Sequence, residues 1–188
     1  MVVSLEEFAK IREEKLKDKK IVATSMFFDP PHPGHVSCIL ESKKFGDVLV
    51  IIIDGDTRSA NKKGKAFMPA VDRADIADAI KGVDYVVIHE DPDAWHCADA
   101  IEIVKPDVFT KGGDRDEKNR QDPKSGLKWE ADIIEGYGGE IEYGVGKEKV
   151  WSSSNYLEDW YQFRKSQEEN SKKEKETEKL ISTTRSFL

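Results

Sequence analysis

The stretch "DVLVIII" at residues 47–53 constrains the fold more than any other part of the chain. After Asp47 every residue is aliphatic and all but Leu49 are β-branched. A strand with no polar alternation has no solvated face, so it belongs inside a parallel sheet covered by helices on both sides. The rest of the sequence supplies those partners. An amphipathic helix is expected in "SLEEFAKIREEKLKDKK", where Ser4 and Glu7 stand at capping-box spacing and Leu5, Phe8, Ile11 and Leu16 lie along one stripe. Strands are expected at 21–28, 84–89, 107–113 and 139–145. Helices are expected from the turn after the first strand to near Gly46, and at 71–82, 93–104 and 128–138. Strand and helix alternate throughout, which specifies an α/β doubly wound parallel sheet with right-handed crossovers.

The chain has 188 residues, enough for one full domain and an appendage. The appendage is visible in composition. "RKSQEENSKKEKETEK" (164–179) has eleven charged residues in sixteen and no apolar one, so it can bury no face. We therefore expect a domain at 1–163 and a charged helix or disordered tail at 164–188. A net charge of −7 argues against a nucleic-acid backbone as partner. No run reaches the ~20 apolar residues of a membrane span, and the first residues are charged where a signal peptide is apolar, so a cytoplasmic protein is expected. Cys38 and Cys97 have no framework spacing and read as buried thiols.

Between the first strand and the first crossover helix lies "FFDPPHPGHV", residues 27–36. Three prolines and a glycine within five residues exclude a helix there. The turn therefore delivers His32 and His35 to the carboxyl edge of the sheet, where open α/β proteins place their ligands. Gly34 would let backbone approach a phosphate, and the following helix offers free N–H groups and the positive end of its dipole. Two imidazoles at such a terminus suit in-line attack on a phosphoryl group. The same histidines could instead cap the turn, or join Cys38 in a zinc site, although no second ligand pair sits at a usual spacing.

"FDPPHPGH", then "GDVLVIIIDGD", "PAVDR", "KPDVFTKGGD" and "WSSSN", in that order, resemble the HxGH nucleotidyltransferase superfamily, and within it the nucleotidyltransferase domain of ADP-heptose synthase. The resemblance spans roughly residues 4 to 157 and includes Gly46, Asp47, Pro69, Asp72, Pro106 and Asp107. It implies transfer of a nucleotidyl group from a nucleoside triphosphate to a phosphorylated small molecule, with Mg²⁺ and release of pyrophosphate. The donor implied is ATP, with CTP as the alternative, and the acceptor a sugar 1-phosphate. A cytidylyltransferase acting on an alcohol phosphate such as glycerol 3-phosphate, and a nucleotide-binding protein without turnover, stay open, as does a homodimer. By the same resemblance His32, His35 and Lys43 would act on the phosphates, with no protein ligand to a metal. Phe28, Asp29, Gly34, Asp56, Arg73, Lys111, Gly112, Gly113 and Asp114 would line the nucleotide side, Arg73 as ligand or brace. Ser152, Ser153 and Ser154 would take the terminal phosphates. "ISTTR" (181–185) is a second candidate for that triplet, and Lys147 or Lys149 would replace a basic residue that the family carries after it. Where the heptose enzymes have T-N-G-C, this chain has Thr24, Ser25, Met26 and Phe27. Met26 and Phe27 are thus expected to form a bulky wall at the acceptor.

Overall fold

The computed structural model describes residues 1–185 apart from Pro92, Ala94, Trp95, Asp114, Lys124 and Lys149, with side chains described as far as Thr177. In chain order the elements are α1 (Leu5–Lys15), β1 (Ile21–Met26), α2 (Pro33–Ser42) with a 3₁₀ turn at Lys43–Phe45, β2 (Val48–Asp54), α3 (Asp56–Lys63) and α4 (Ala70–Asp78). They continue with β3 (Tyr85–His89), α5 (Ala98–Val104), β4 (Val108–Gly112), α6 (Glu117–Gln121), α7 (Gly126–Gly136), β5 (Glu140–Val145) and α8 (Ser153–Arg185). Two compact units result, Met1–Val150 with the whole sheet and Trp151–Leu188 with α8. No helix among the described residues is long and apolar enough to cross a membrane.

The five strands run parallel in the order β3-β2-β1-β4-β5. β2 sits between β1 and β3 and is buried along its whole length, as its unbroken aliphatic run requires. Its alternate side chains feed two cores. Val48, Val50 and Ile52 join Phe8, Val87, Ile101, Phe109 and Ile134 under α1, α5 and α7. Leu49, Ile51 and Ile53 join Val22, Met26, Phe28, Ile39, Ala74 and Ala77 under α2 and α4. The order reverses at β1, whose two neighbours lead to crossovers on opposite sides, so a crevice opens at its carboxyl end.

Two boundaries and two whole elements among those that differ from expectation have a local reason. β1 stops at Met26 because Phe28 takes a left-handed φ of 55°, which ends the extended run. α5 starts at Ala98 rather than 93, since Asp91 Oδ1 accepts the Asp93 N–H in a side-chain turn; Ala94 and Trp95 of the expected helix lie outside the described residues. α3 and α6 were not expected at all. "DTRSANKK" and "EKNRQ" carry no apolar stripe, and their signal is in their caps. α6 has a reciprocal Asp116–Asn119 cap, while α3 is capped from a distance by Glu90, whose carboxylate accepts from Asp56 N at 2.6 Å and Thr57 N at 3.0 Å. The charged stretch 164–179 is helical within α8, and its side chains are exposed as far as they are described.

Gly46 shows how closely β1 and β2 approach. A Cβ there would lie 2.6 Å from the Lys20 carbonyl oxygen and 2.7 Å from Val22 Cγ2. That carbonyl already accepts from Asp47 N and Val48 N at 2.8 and 3.2 Å, so it cannot retreat without loosening the start of the pairing. Gly46→Ala should therefore lower stability by about 1–3 kcal/mol, read as an earlier urea midpoint at an unchanged slope.

Candidate active site

The turn after β1 delivers both histidines to the crevice, at the N-terminus of α2. His32 is its N-cap and its Nδ1 accepts from Gly34 N at 3.1 Å; Nδ1 of His35 accepts from His32 N at 3.3 Å. The rings lie against each other, tilted by 33° with centroids 3.7 Å apart, and Phe28 packs on His35 from behind with centroids at 5.2 Å. With Nδ1 an acceptor in each ring, the proton of the neutral imidazole sits on Nε2, and both rings present a donor at that atom. The capping and functional alternatives are thus not exclusive, since the bonds that cap the turn also set the tautomer. Gly34 is needed for a reason besides the expected one. A Cβ would stand 2.9 Å from His32 Cε1, so the space over it belongs to the ring that caps the helix.

Two residues expected on the nucleotide side, Asp29 and Arg73, hold the backbone around it. Asp29 is fully buried and its carboxylate accepts from Phe67 N and Met68 N at 3.0 and 2.9 Å, with Lys63 Nζ 3.6 Å away. Arg73 is equally buried. Its Nε donates to Met68 O, Nη1 to Phe27 O and Asp54 O, and Nη2 to Asp56 Oδ1. Of its two expected roles, brace is the one these bonds describe. Asp56, at the start of α3, spends one carboxylate oxygen on that guanidinium. Phe28 is completely buried in the core under α2 and α4, where it backs His35 and can reach no ligand.

Cations gather on the other side of the turn. Arg58, Lys62 and Lys63 of α3 lie over the Phe27 ring, at 5.4, 4.2 and 5.6 Å from its centroid. Partial shielding from water pushes the Lys62 ammonium below its ordinary value, and Arg115 nearby adds to the effect; shielding does the same to Lys63, opposed by Asp29. Arg58 pairs with Asp54 at the end of β2, although burial still raises the Asp54 carboxyl. This cluster was missed because its helix has no apolar stripe. The available signal was the "NKKGK" run, which follows "DGD" by a few residues.

Lys43 requires a correction. It lies at the C-terminal end of α2, about 15 Å along the helix from His32 at 1.5 Å per residue. Its ammonium bonds Asp84 and the Asp47 carbonyl at 2.5 Å each, at the amino edge of the sheet, so it cannot hold a phosphate beside the histidines. The expected wall needs a similar correction. Met26 points into the core under α2 and α4, and only Phe27 reaches the crevice.

Lys111 closes the far face. Its ammonium pairs with Glu130 of α7 at 2.5 Å and donates to Ser25 Oγ at 2.9 Å. Burial, the largest single influence, would lower the Lys111 value, but Glu130 together with Cys97 and Asp54 raises it; burial would raise Glu130, but Lys111 together with Cys97 lowers it. Glu130 also accepts from the Cys97 thiol at 3.1 Å, and burial first and Glu130 second hold that thiol protonated. Gly112 packs against Cys38 at 3.4 Å from its would-be Cβ, and Gly113 forms the turn that leaves β4. Asp114 and Lys149 lie outside the described residues. The Lys147 backbone donates to Ser37 Oγ at 2.8 Å. In the second unit, Ser152–Ser154 open α8; Ser152 N and Oγ both donate to Asn155 Oδ1, at 2.9 and 2.6 Å. Ser182, Thr183 and Thr184 of the alternative triplet lie near the other end of that helix.

A family model described as cytidylyltransferase-like matches residues 27–185. The bifunctional protein HldE of Geobacter metallireducens is 36% identical over 134 residues, covering 70% of this chain and 25% of that protein. FAD synthase of Ferroglobus placidus is 39% identical over 97 residues, 52% of this chain and 60% of that protein. The chain spans about a quarter of the length of the HldE relatives it matches. Among solved structures, a lipopolysaccharide core biosynthesis protein from Thermoplasma volcanium superposes with a TM-score of 0.53 at 25% identity, over 70% of this chain and 98% of that one. Pantoate-beta-alanine ligase from Francisella tularensis, at 15% identity and a TM-score of 0.57 over 84% of this chain and 72% of its own, shares the fold.

The Lys111–Glu130 pair makes stability depend on pH with a definite sign. Glu130 has a folded value below the ordinary 4.5, so its contribution is complete above that value and fades as pH falls through the lower one. Lys111 is raised above 10.5, so its contribution is complete below that value and fades only as pH climbs through the higher one. Glu130→Gln, which leaves a buried ammonium unpaired, should cost about 3–5 kcal/mol at neutral pH. Urea titrations of both proteins should show that gap narrowing as pH drops below the carboxylate range.

Proposed function

The chain belongs to the cytidylyltransferase-like family of nucleotidyltransferases, and we propose that it transfers an adenylyl group from ATP to a phosphorylated small molecule, releasing pyrophosphate. The observation that supports this most is the stacked His32–His35 pair, each Nδ1 held by a backbone N–H at the head of α2. An oxygen of the acceptor phosphate attacks the α-phosphorus, a new P–O bond forms, and the bond to the pyrophosphate oxygen breaks in line. No proton need leave the attacking phosphate oxygen. The demand on the protein is to meet negative charge with donors already in place. The two Nε2–H groups and the positive end of the α2 dipole meet that charge on one side, and Lys62 and Lys63 on the other; the first N–H groups of α2, expected to be free, are taken by His32 itself.

Mg²⁺ enters on this reading with ATP. Among the described residues Asp29 is engaged by backbone amides and Asp54 by Arg58, while the half-exposed Asp56 gives one carboxylate oxygen to Arg73. The triphosphate oxygens would hold the ion, with Asp56 the nearby carboxylate that could join them, and Ser152–Ser154 remain the proposed contacts of the terminal phosphates. The adenylyl assignment draws on the FAD synthase relative, whose product by name contains adenine, and on the likeness to the heptose enzymes. A sugar 1-phosphate is the proposed acceptor.

His35→Ala should lower turnover on the order of 10²–10⁴-fold with the fold intact. His32→Ala also removes an N-cap, so His32→Asn is the informative partner: asparagine keeps the cap and loses the ring. Normal turnover in both His35→Ala and His32→Asn would refute the site. Calorimetric titration with ATP and with CTP in Mg²⁺, followed by pyrophosphate release across a panel of phosphorylated acceptors, tests base and acceptor in turn. Tighter binding of CTP would overturn the adenylyl assignment. A chain ended near Arg164 should keep triphosphate binding; loss of binding with the sheet unit still folded would move the phosphate contacts to Ser182, Thr183 and Thr184.

A further inference from the structure

At the carboxyl end of β3 a histidine side chain is left with an unmet need. His89 is 3% exposed, and its Nδ1 is sealed from solvent with no hydrogen-bond partner among the described residues. A buried polar nitrogen without a partner typically costs about 1–3 kcal/mol. One ring nitrogen of His89, one carboxylate oxygen of Asp91 and one of Asp99 all lie within 4.8 Å of one another. Burial is graded across the three: His89 is buried, Asp91 half-buried and Asp99 exposed. The set therefore has a dry inner wall and an open outer side. Arg58, the nearby cation, pairs with Asp54, and Asp91 lends Oδ1 to the Asp93 N–H at 2.9 Å.

We infer that His89, Asp91 and Asp99 form a binding site for one divalent transition-metal ion, Mn²⁺ or Zn²⁺. Ligand atoms about 2 Å from a shared ion stand about 3–4 Å apart, so a small side-chain adjustment closes this group on it. One imidazole with two carboxylates is a mixed nitrogen and oxygen set. It suits Mn²⁺ and Zn²⁺ better than Mg²⁺ or Ca²⁺, which favour oxygen alone, and the set has no thiolate for a soft ion. The exposed Asp99 gives the ion its way in, and solvent fills the remaining positions.

The site stands apart from the histidine pair yet touches its frame. His89 and Asp91 flank Glu90, whose carboxylate caps α3, the helix that carries Arg58, Lys62 and Lys63. An ion held by both neighbours fixes the segment that carries that cap, and ties it to the first turn of α5 through Asp99.

The test is a titration of the untagged full chain, free of nucleotide, with Mn²⁺ followed by electron paramagnetic resonance, and with Zn²⁺ against a chromogenic chelator. One ion per chain should bind. Asp99→Asn should weaken it roughly 10–100-fold or more. Asp99 is exposed, so that variant stays folded; His89→Gln and Asp91→Asn should act in the same direction. His35→Ala should bind as the wild type does, which separates this site from the other pair of imidazoles. The inference fails if no ion binds, if Asp99→Asn and Asp91→Asn bind normally, if binding is lost in His35→Ala instead, if it appears only after ATP is added, or if a tenfold excess of Mg²⁺ displaces the ion.

Discussion

The crevice depends on a buried guanidinium. Arg73 is out of contact with water, and a charge in that position is tolerable only where its donors are met. Its partners come from three separate pieces of chain: Phe27 O after β1, Asp54 O and the Asp56 carboxylate at the end of β2, and Met68 O before α4. Each of these loops borders the histidine turn. Asp29 works in the opposite sense, as a buried anion that gathers the Phe67 and Met68 amides and faces Lys63. Together they make the carboxyl edge of β1 and β2 a rigid rim. His32 and His35 are held on it, where loops of this composition would otherwise move.

Sheet periodicity divides the crevice in two. Side chains on the α2 and α4 face end in Met26, Phe28 and Ile53, an apolar floor that the histidine turn covers. On the α5 and α7 face the strands end in Ser25, Asp54, His89 and Lys111, a polar layer above an apolar core, closed by Glu130 and Cys97. Buried polar groups in such numbers are expensive unless paired, and here Lys111 with Glu130 and Arg58 with Asp54 supply the pairing. His89, whose Nδ1 has no hydrogen-bond partner among the described residues, is the exception.

Much of this was legible in the sequence, and what was not follows from how side chains are recruited. "DVLVIII" and the regular alternation around it specified a parallel sheet, because both signals are local and periodic. The histidine turn was legible because proline and glycine leave the backbone few choices. α3 and α6 were hidden, since a helix capped by a distant Glu90 or by its own short polar residues shows no apolar stripe. Lys43 was misplaced for a geometric reason. Motif spacing counts residues along α2, but ten helical residues carry a side chain from one edge of the sheet to the other. Arg73 and Asp29 show the same limit from the other side. Their types and positions suited a ligand site, while their bonding partners, which only the fold brings together, make them its scaffold.

The same register argument relocates the departure at "TSMF". A strand turns alternate side chains to opposite faces, so two bulky residues at consecutive positions, Met26 and Phe27, cannot build one continuous wall. Thr24 and Met26 turn toward α2, where Thr24 bonds the Thr110 carbonyl and Met26 fills core space. Ser25 and Phe27 lie elsewhere, Ser25 on the Lys111 ammonium and Phe27 beneath the α3 cations. What this chain changes at the crevice is therefore a hydroxyl that orients Lys111 and an aromatic face that gathers Arg58, Lys62 and Lys63. Both act on how positive charge is placed. On the proposed reading, selection among phosphorylated acceptors would turn on the position of the phosphate relative to those cations more than on the bulk that Met26 suggests in the sequence.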